Sequence, residues 1–399
     1  MARGVIPIVS VNRGSAPAGL ATLPPLSLYV HFPWCVKKCP YCDFNSHEAR
    51  EGIPEARYLA ALIADLEQSL PLVWGRPIVS IFIGGGTPSL LSPESVDALL
   101  GAVRARLTLL PGAEVTLEAN PGTAEAARFA GYRAAGVNRL SVGVQSFNPR
   151  HLAALGRIHD TGEARRAVEL ALKHFDNVNL DLMYALPDQT LEEAQADIEA
   201  AAAFGTPHLS AYHLTLEPNT AFHRVPPPLP DVDLASQMQD EVEETLARHG
   251  YGHYETSAFA RKGRECRHNL NYWLFGDYLG IGAGAHGKLS SPERVLRQMK
   301  HKHPQAYLDS AERGDAVQEQ HAVGSEDLPF EFMMNALRLT QGFPVRLFAE
   351  RTGLAWDAIR PQLDEAISRG LLEMTAERIA PTDRGRRFLN DLLQVFLQD

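Results

Sequence analysis

Cys35, Cys39 and Cys42 fall within eight residues, Cys35-Val-Lys-Lys-Cys39-Pro-Tyr-Cys42, and only one other cysteine, Cys266, occurs in the 399-residue chain. Thiolates are soft ligands suited to iron–sulfur clusters, zinc or copper(I). Crowded into one stretch of a chain otherwise poor in cysteine, they point to a metal group and not to a disulfide framework, and so to a reducing cytoplasm. A structural zinc site takes four protein ligands, commonly two C-x2-C pairs, and no second pair follows; His31 or Cys266 would have to complete it. Cubane clusters are usually held by four thiolates. Three leave one iron open to a small chelating molecule.

Other residues that could do chemistry recur at the ends of apolar runs. Gly84-Gly85-Gly86-Thr87 follows one run, and glycines let backbone approach a ligand where side chains would not fit. Glu118 and Asp181 are carboxylates suited to an ammonium or to ribose hydroxyls, and Arg157 can pair a carboxylate through two parallel bonds. Gln145-Ser146 and Tyr212-His213 close two further runs.

The elements that must position these groups alternate. Apolar runs at residues 26–32, 78–83, 114–118, 138–145, 177–183 and 208–214 read as strands. Amphipathic segments at 56–70, 93–109, 124–135, 150–174, 191–204 and 231–249 read as helices. Successive βα units imply a parallel sheet. A site spread over six strand ends suits an incomplete, TIM-like (βα)6 barrel, in which those ends converge on one face, better than a single crevice in a doubly wound sheet. We divide the chain into a flexible leader (1–25), the barrel (26–225), a connecting region dense in aromatics, histidine and glycine (226–325), and a mainly helical, winged-helix-like C-terminal domain (326–399).

Composition limits the function classes. A hydrophobic fraction of 45% and a charged fraction of 22% are those of an ordinary globular protein. The net charge of −10 argues against nucleic acid as a partner. From Glu326 onward nine Arg and no Lys face twelve Asp plus Glu, so the winged-helix-like part is expected to pack against the barrel or a partner instead of DNA. No apolar stretch is long enough to span a bilayer.

The spacing C-x3-C-x2-C directly after a first strand is that of the radical S-adenosylmethionine superfamily. Within it the chain resembles the oxygen-independent coproporphyrinogen III oxidase group through Tyr29-Val-His-Phe-Pro-Trp-Cys35, Gly84-Gly-Gly-Thr-Pro88, Glu118-Ala-Asn-Pro121, Gly143-Val-Gln-Ser-Phe147, Leu155-Gly-Arg157 and Asn179-Leu-Asp-Leu-Met-Tyr-Ala-Leu-Pro187. The resemblance implies a [4Fe-4S] cluster on Cys35, Cys39 and Cys42, with S-adenosylmethionine chelating the open iron and yielding an adenosyl radical on reductive cleavage. It places Tyr29 by the cluster and the glycine stretch at the methionine amine. Glu118 and Arg157 meet the methionine end of the cofactor, and Gln145 and Asp181 its ribose.

The oxidases carry a fourth cysteine where this chain has Phe44. Phe44 and His268-Asn269-Leu-Asn-Tyr272-Trp273 resemble instead the sister group, heme chaperones of the HemW type. That likeness implies heme binding and delivery to respiratory hemoproteins at the membrane, from the cytoplasm or peripheral to the inner membrane, and admits a homodimer. Tyr272 and Trp273 offer flat apolar surface to a porphyrin. Cys266, His268 and His286 all stand as candidates for the axial ligand. The competing expectation is the oxidase itself, a radical oxidative decarboxylation of propionates.

Overall fold

β1 (Leu26–Phe32) is a near-continuous apolar run buried at six of its seven positions, as a strand covered on both faces must be. It lies beside β4 (Ile78–Gly85), followed in space by β5 (Leu109–Ala119), β6 (Arg139–Gln145), β7 (Val178–Tyr184) and β8 (His208–His213), all parallel. Helices Glu55–Val73, Pro93–Arg106, Thr161–His174 and Leu191–Ala203 fill crossovers between them. This is the expected incomplete barrel in a computed structural model that describes residues 20–397 except residue 51.

The connecting region contributes more than a link. β9 (Gly252–Glu255) and β10 (Ala258–Ala260) extend the sheet beyond β8. β11 (Asp277–Ile281) joins β1 in parallel on the other side, followed by antiparallel β12 (His286–Ser290), β13 (Val295–Lys300) and β14 (Val317–Ala322). Among the described residues the sheet has twelve strands, ordered β14-β13-β12-β11-β1-β4-β5-β6-β7-β8-β10-β9. A buried ion pair, Lys288 Nζ to Asp277 Oδ1 at 2.9 Å, ties the first two added strands together, and Arg76 Nη2 also reaches Asp277 at 2.8 Å.

Three expected elements differ in outline. The helix over 150–174 is two helices, Pro149–Ala154 and Thr161–His174, the second started by an Asp160/Glu163 capping box. The helix over 124–135 is also split, at Thr123–Ala126 and Phe129–Ala135, and β5 begins at Leu109, five residues before the expected start. Of the leader, residues 1–19 lie outside the described residues. Residues 20–25 are held in place: Leu20 N donates to Pro292 O, Arg76 Nη2 to Pro24 O and Asp277 N to Pro25 O.

Helix Arg267–Trp273 lies across the N-terminal halves of the strands. His268 Nδ1 is 3.0 Å from Ser80 Oγ, and Asn271 Nδ2 donates to Ser27 Oγ at 2.9 Å. Beyond it the chain forms helices Leu328–Ala336, Arg346–Thr352 and Arg360–Ser368, with a small sheet of β15 (Phe343–Pro344), β17 (Arg378–Pro381) and β16 (Leu372–Met374). That is the winged-helix-like order. It packs on the rest of the chain through Phe275 against Phe332 at 5.6 Å and Arg338 over the Trp273 ring at 4.5 Å.

Candidate functional site

The three clustered cysteines sit on a loop that leaves the end of β1. Two-residue strands β2 (Trp34–Cys35) and β3 (His47–Glu48) pair in parallel and close it. Lys38 Nζ donates to Phe44 O and Ser46 O, both at 3.1 Å, and Asn45 Nδ2 anchors the far end to Ala283 O and Lys302 O, each at 2.9 Å. The loop rests on the end of β4, where Gly86 N donates to Phe32 O and Thr87 N to Trp34 O.

The glycines are therefore required by the protein's own packing. A Cβ on Gly86 would come 2.6 Å from Trp34 O, and one on Gly84 would come 2.9 Å from Glu118 Oε2. Gly85 has φ +115°, a conformation that side chains rarely adopt.

The strand ends and this loop enclose a cavity of about 330 Å³. Cys35, Cys39, Cys42 and Phe44 line one side; Gly85, Gly86, Thr87, Glu118, Gln145, Arg157 and Asp181 line the rest. Gly84 sits beneath the wall. Among the described residues no group of three or more His, Cys, Asp or Glu is placed to hold a single metal ion. His31 and Cys266 are engaged elsewhere, His31 Nδ1 with Tyr29 Oη at 3.0 Å and Nε2 with Asn45 O at 2.9 Å.

The polar wall is arranged around charge. Arg157 Nη2 donates to Asn120 Oδ1 and Gly143 O, both at 2.8 Å, while its buried Nε has no partner. An unpaired buried donor costs roughly 1–3 kcal/mol, which a ligand carboxylate would relieve. Glu118 accepts from Gly85 N at 3.1 Å; its low-polarity surroundings, then the Asp181 carboxylate, push its pKa up to about 8. Burial likewise raises Asp181, although Ser141 Oγ and Asn179 Nδ2 both donate to it at 2.8 Å. Gln145 holds φ +68° beside an irregularity in the β6–β7 register, and such non-glycine backbone costs of order 1–3 kcal/mol where it is kept. Burial pushes the thiols of Cys35 and Cys42 up.

A second cavity of about 390 Å³ adjoins the first. Phe44, Gly85 and Glu118 line both. Tyr29, His31, Phe82, Tyr272, Tyr278 and His286 complete most of its wall, so it is aromatic where the first is polar.

The residues of the His268-Asn269-x-x-Tyr272-Trp273 stretch do not converge. Only Tyr272 faces this cavity; His268 is buried beneath it, Trp273 turns toward Arg338, and Asn269 lines neither space. Cys266 caps the same helix, its thiol donating to Glu114 Oε1 at 3.4 Å, with burial pushing its pKa up to about 12.

Comparison with known proteins gives the family and the fold relatives. The radical SAM superfamily model matches residues 29–201, and the HemN C-terminal domain model matches 324–388. The heme chaperone HemW of Escherichia coli is 51% identical over 385 residues, covering 95% of this chain and all of the relative. The chain belongs to the HemW family. HemW of Haemophilus influenzae is 49% identical over 94% of this chain, and HemW of Bacillus subtilis 34% over 93%. Among solved structures, the radical SAM enzyme coproporphyrinogen III oxidase (HemN) from Escherichia coli superposes with a TM-score of 0.81 at 25% identity, over 94% of this chain and 90% of that one. This chain and that oxidase thus share a barrel.

Side chains that hold the site and were given no role of their own in the sequence analysis are Lys38, Asn45, Asn120 and Tyr278. Asn120 lies inside the Glu118-Ala-Asn-Pro121 motif and donates to Thr87 Oγ1 at 3.0 Å, so the motif itself carried a signal. Lys38 and Asn45 carried none beyond their place in the loop.

Proposed function

We propose that the chain is a heme carrier that binds heme and passes it to respiratory hemoproteins, holding a [4Fe-4S] cluster on Cys35, Cys39 and Cys42 and S-adenosylmethionine beside it. The observation that carries this reading is Phe44. By the resemblance it stands where the oxidases carry a fourth cysteine; it is 58% exposed and lines both the polar and the aromatic cavity. The naming of the relatives supports it.

The polar cavity fits the cofactor. The unpartnered Arg157 Nε and its neighbouring guanidinium nitrogens suit the methionine carboxylate, Glu118 suits the ammonium once it releases its proton, and Asp181 and Gln145 suit ribose hydroxyls. When bound, the cluster and S-adenosylmethionine supply one-electron chemistry at a sulfonium. The residues of the chain bind and orient: Ser141 and Asn179 fix Asp181, Asn120 and Gly143 O fix Arg157, and Gly85 N holds Glu118. Delivery to acceptors at the membrane would be through peripheral or protein contact, since no described helix is long and apolar enough to cross one.

The intact polar cavity and the likeness to the oxidase keep one competing reading, oxidative decarboxylation of coproporphyrinogen. Anaerobic reconstitution separates the two. The carrier reading expects stoichiometric heme binding and no vinyl product. Multiple-turnover conversion to protoporphyrinogen would overturn it.

A further inference from the structure

We infer that His286 is the axial ligand of the carried heme and that the aromatic cavity seats the macrocycle. This assignment rests on the heme-carrier reading, and it selects among three side chains that the sequence leaves open.

Cys266 is excluded by its engagement. Its Sγ is committed to Glu114 Oε1 of β5, it is fully buried, and it lines neither cavity. His268 has a free Nε2, but the ring is packed 5.0 Å from Phe82 and 4.9 Å from Tyr272, with Tyr29 at 6.4 Å. It is 1% exposed and lines neither cavity. A macrocycle could reach it only by unpacking those three rings.

His286 meets the geometric requirements. It is the first residue of β12, is exposed, and lines the aromatic cavity, and its ring makes no hydrogen bond to another described residue. Neutral imidazole is a common axial ligand. Tyr272 and Tyr278, their rings 4.2 Å apart, supply flat surface on the same cavity, and Phe44 supplies more from the cysteine loop. Ligand and apolar walls therefore meet in one cavity.

The test is a titration of the full-length protein with ferric heme, read by the Soret band and by EPR, for the wild type, His286→Ala and His268→Ala. The assignment expects His286→Ala to bind at least tenfold more weakly and to lose the wild-type spectrum, with free imidazole restoring that spectrum. His286 is exposed, so its substitution leaves packing intact, which circular dichroism checks. Wild-type binding with an unchanged His286→Ala spectrum would overturn the ligand assignment alone. Failure of the wild type to bind heme would overturn the carrier reading and the assignment with it.

Discussion

Arg157 Nη1 stands 3.6 Å from Cys39 Sγ, joining the cysteine loop to the end of β6 through one guanidinium. The break between helices Pro149–Ala154 and Thr161–His174 puts it there. Gly156 turns the chain at φ +67°, and a Cβ at that position would lie 2.9 Å from Pro40 Cδ of the same loop. The interrupted helix is therefore a device for bringing a cation to the thiols.

Replacing Arg157 by Met should separate cluster assembly from cofactor binding. The three thiols remain, so iron and sulfide content should stay close to wild type. The bonds that meet a carboxylate are lost, and charged hydrogen bonds contribute roughly 1.5–3 kcal/mol, so affinity for S-adenosylmethionine should fall about tenfold to a hundredfold. Perturbation of the reduced cluster's EPR signal by the cofactor measures this. Wild-type perturbation at wild-type concentration would contradict the role.

Glu118 gives a pH signature. Its carboxyl has an ordinary value of 4.5 in the unfolded chain and about 8 in the fold. Between those values the folded state keeps a proton that the unfolded state has lost, so stability from this group is complete below about pH 4.5 and declines as pH rises toward 8. The slope from one group is at most about 1.4 kcal/mol per pH unit, less here because the cavity admits water. In denaturant titrations of the cofactor-free protein, Glu118→Gln should flatten the pH dependence between 5 and 8. An equal slope in both proteins would show that Glu118 is not the titrating group.

Much of this site was legible because strand ends announce themselves. Apolar runs stop at Glu118 and Gln145, and βα alternation places those stops on one face; Asp181 instead lies within β7, three residues before its end at Tyr184. What could not be read is equally specific. β14 is a polar, almost wholly exposed edge strand, Val-Gln-Glu-Gln-His-Ala, and β10 is three residues long, so neither has a periodic signal. The positive φ of Gln145 is imposed by tertiary packing on a residue with no intrinsic preference for it. Tyr272 and Trp273 were expected to offer flat surface together, but on a helix positions four apart share a face and adjacent ones diverge. His268 and Tyr272 therefore point inward toward Phe82 and Tyr278, while Trp273 meets Arg338.

Two glycine-to-alanine changes should have opposite signs. At Gly86 the added Cβ would meet Trp34 O at 2.6 Å and Trp34 C at 2.8 Å, both backbone atoms that cannot swing aside. Overpacking of this kind costs about 1–3 kcal/mol and should also lower cluster occupancy by shifting the cysteine loop. Gly101, inside helix Pro93–Arg106, has nothing within 4 Å of its Cβ position. There alanine should stabilise by about 0.5–1 kcal/mol through helix propensity. Denaturation midpoints and iron content for the two variants, side by side, check both signs.

Loss of the cluster should weaken heme binding only modestly, because the two cavities share only Phe44, Gly85 and Glu118 and none of the three cysteines lines the aromatic one. Cys35→Ser removes one of three thiolates, and the brown absorption of the reconstituted protein should disappear. The aromatic cavity, however, draws Tyr272 from helix Arg267–Trp273, Tyr278 from β11 and His286 from β12. Of the loop residues, Phe44 and Asn45 reach it, and both are held by contacts that do not involve Cys35: Lys38 to Phe44 O, and Asn45 to Ala283 O and Lys302 O. Heme affinity in Cys35→Ser should therefore stay within about tenfold of wild type, roughly 1.4 kcal/mol, with an unchanged Soret position. If heme binding vanished together with the cluster, the aromatic cavity could not be a separate seat, and the shared wall at Phe44, Gly85 and Glu118 would have to be part of a single site.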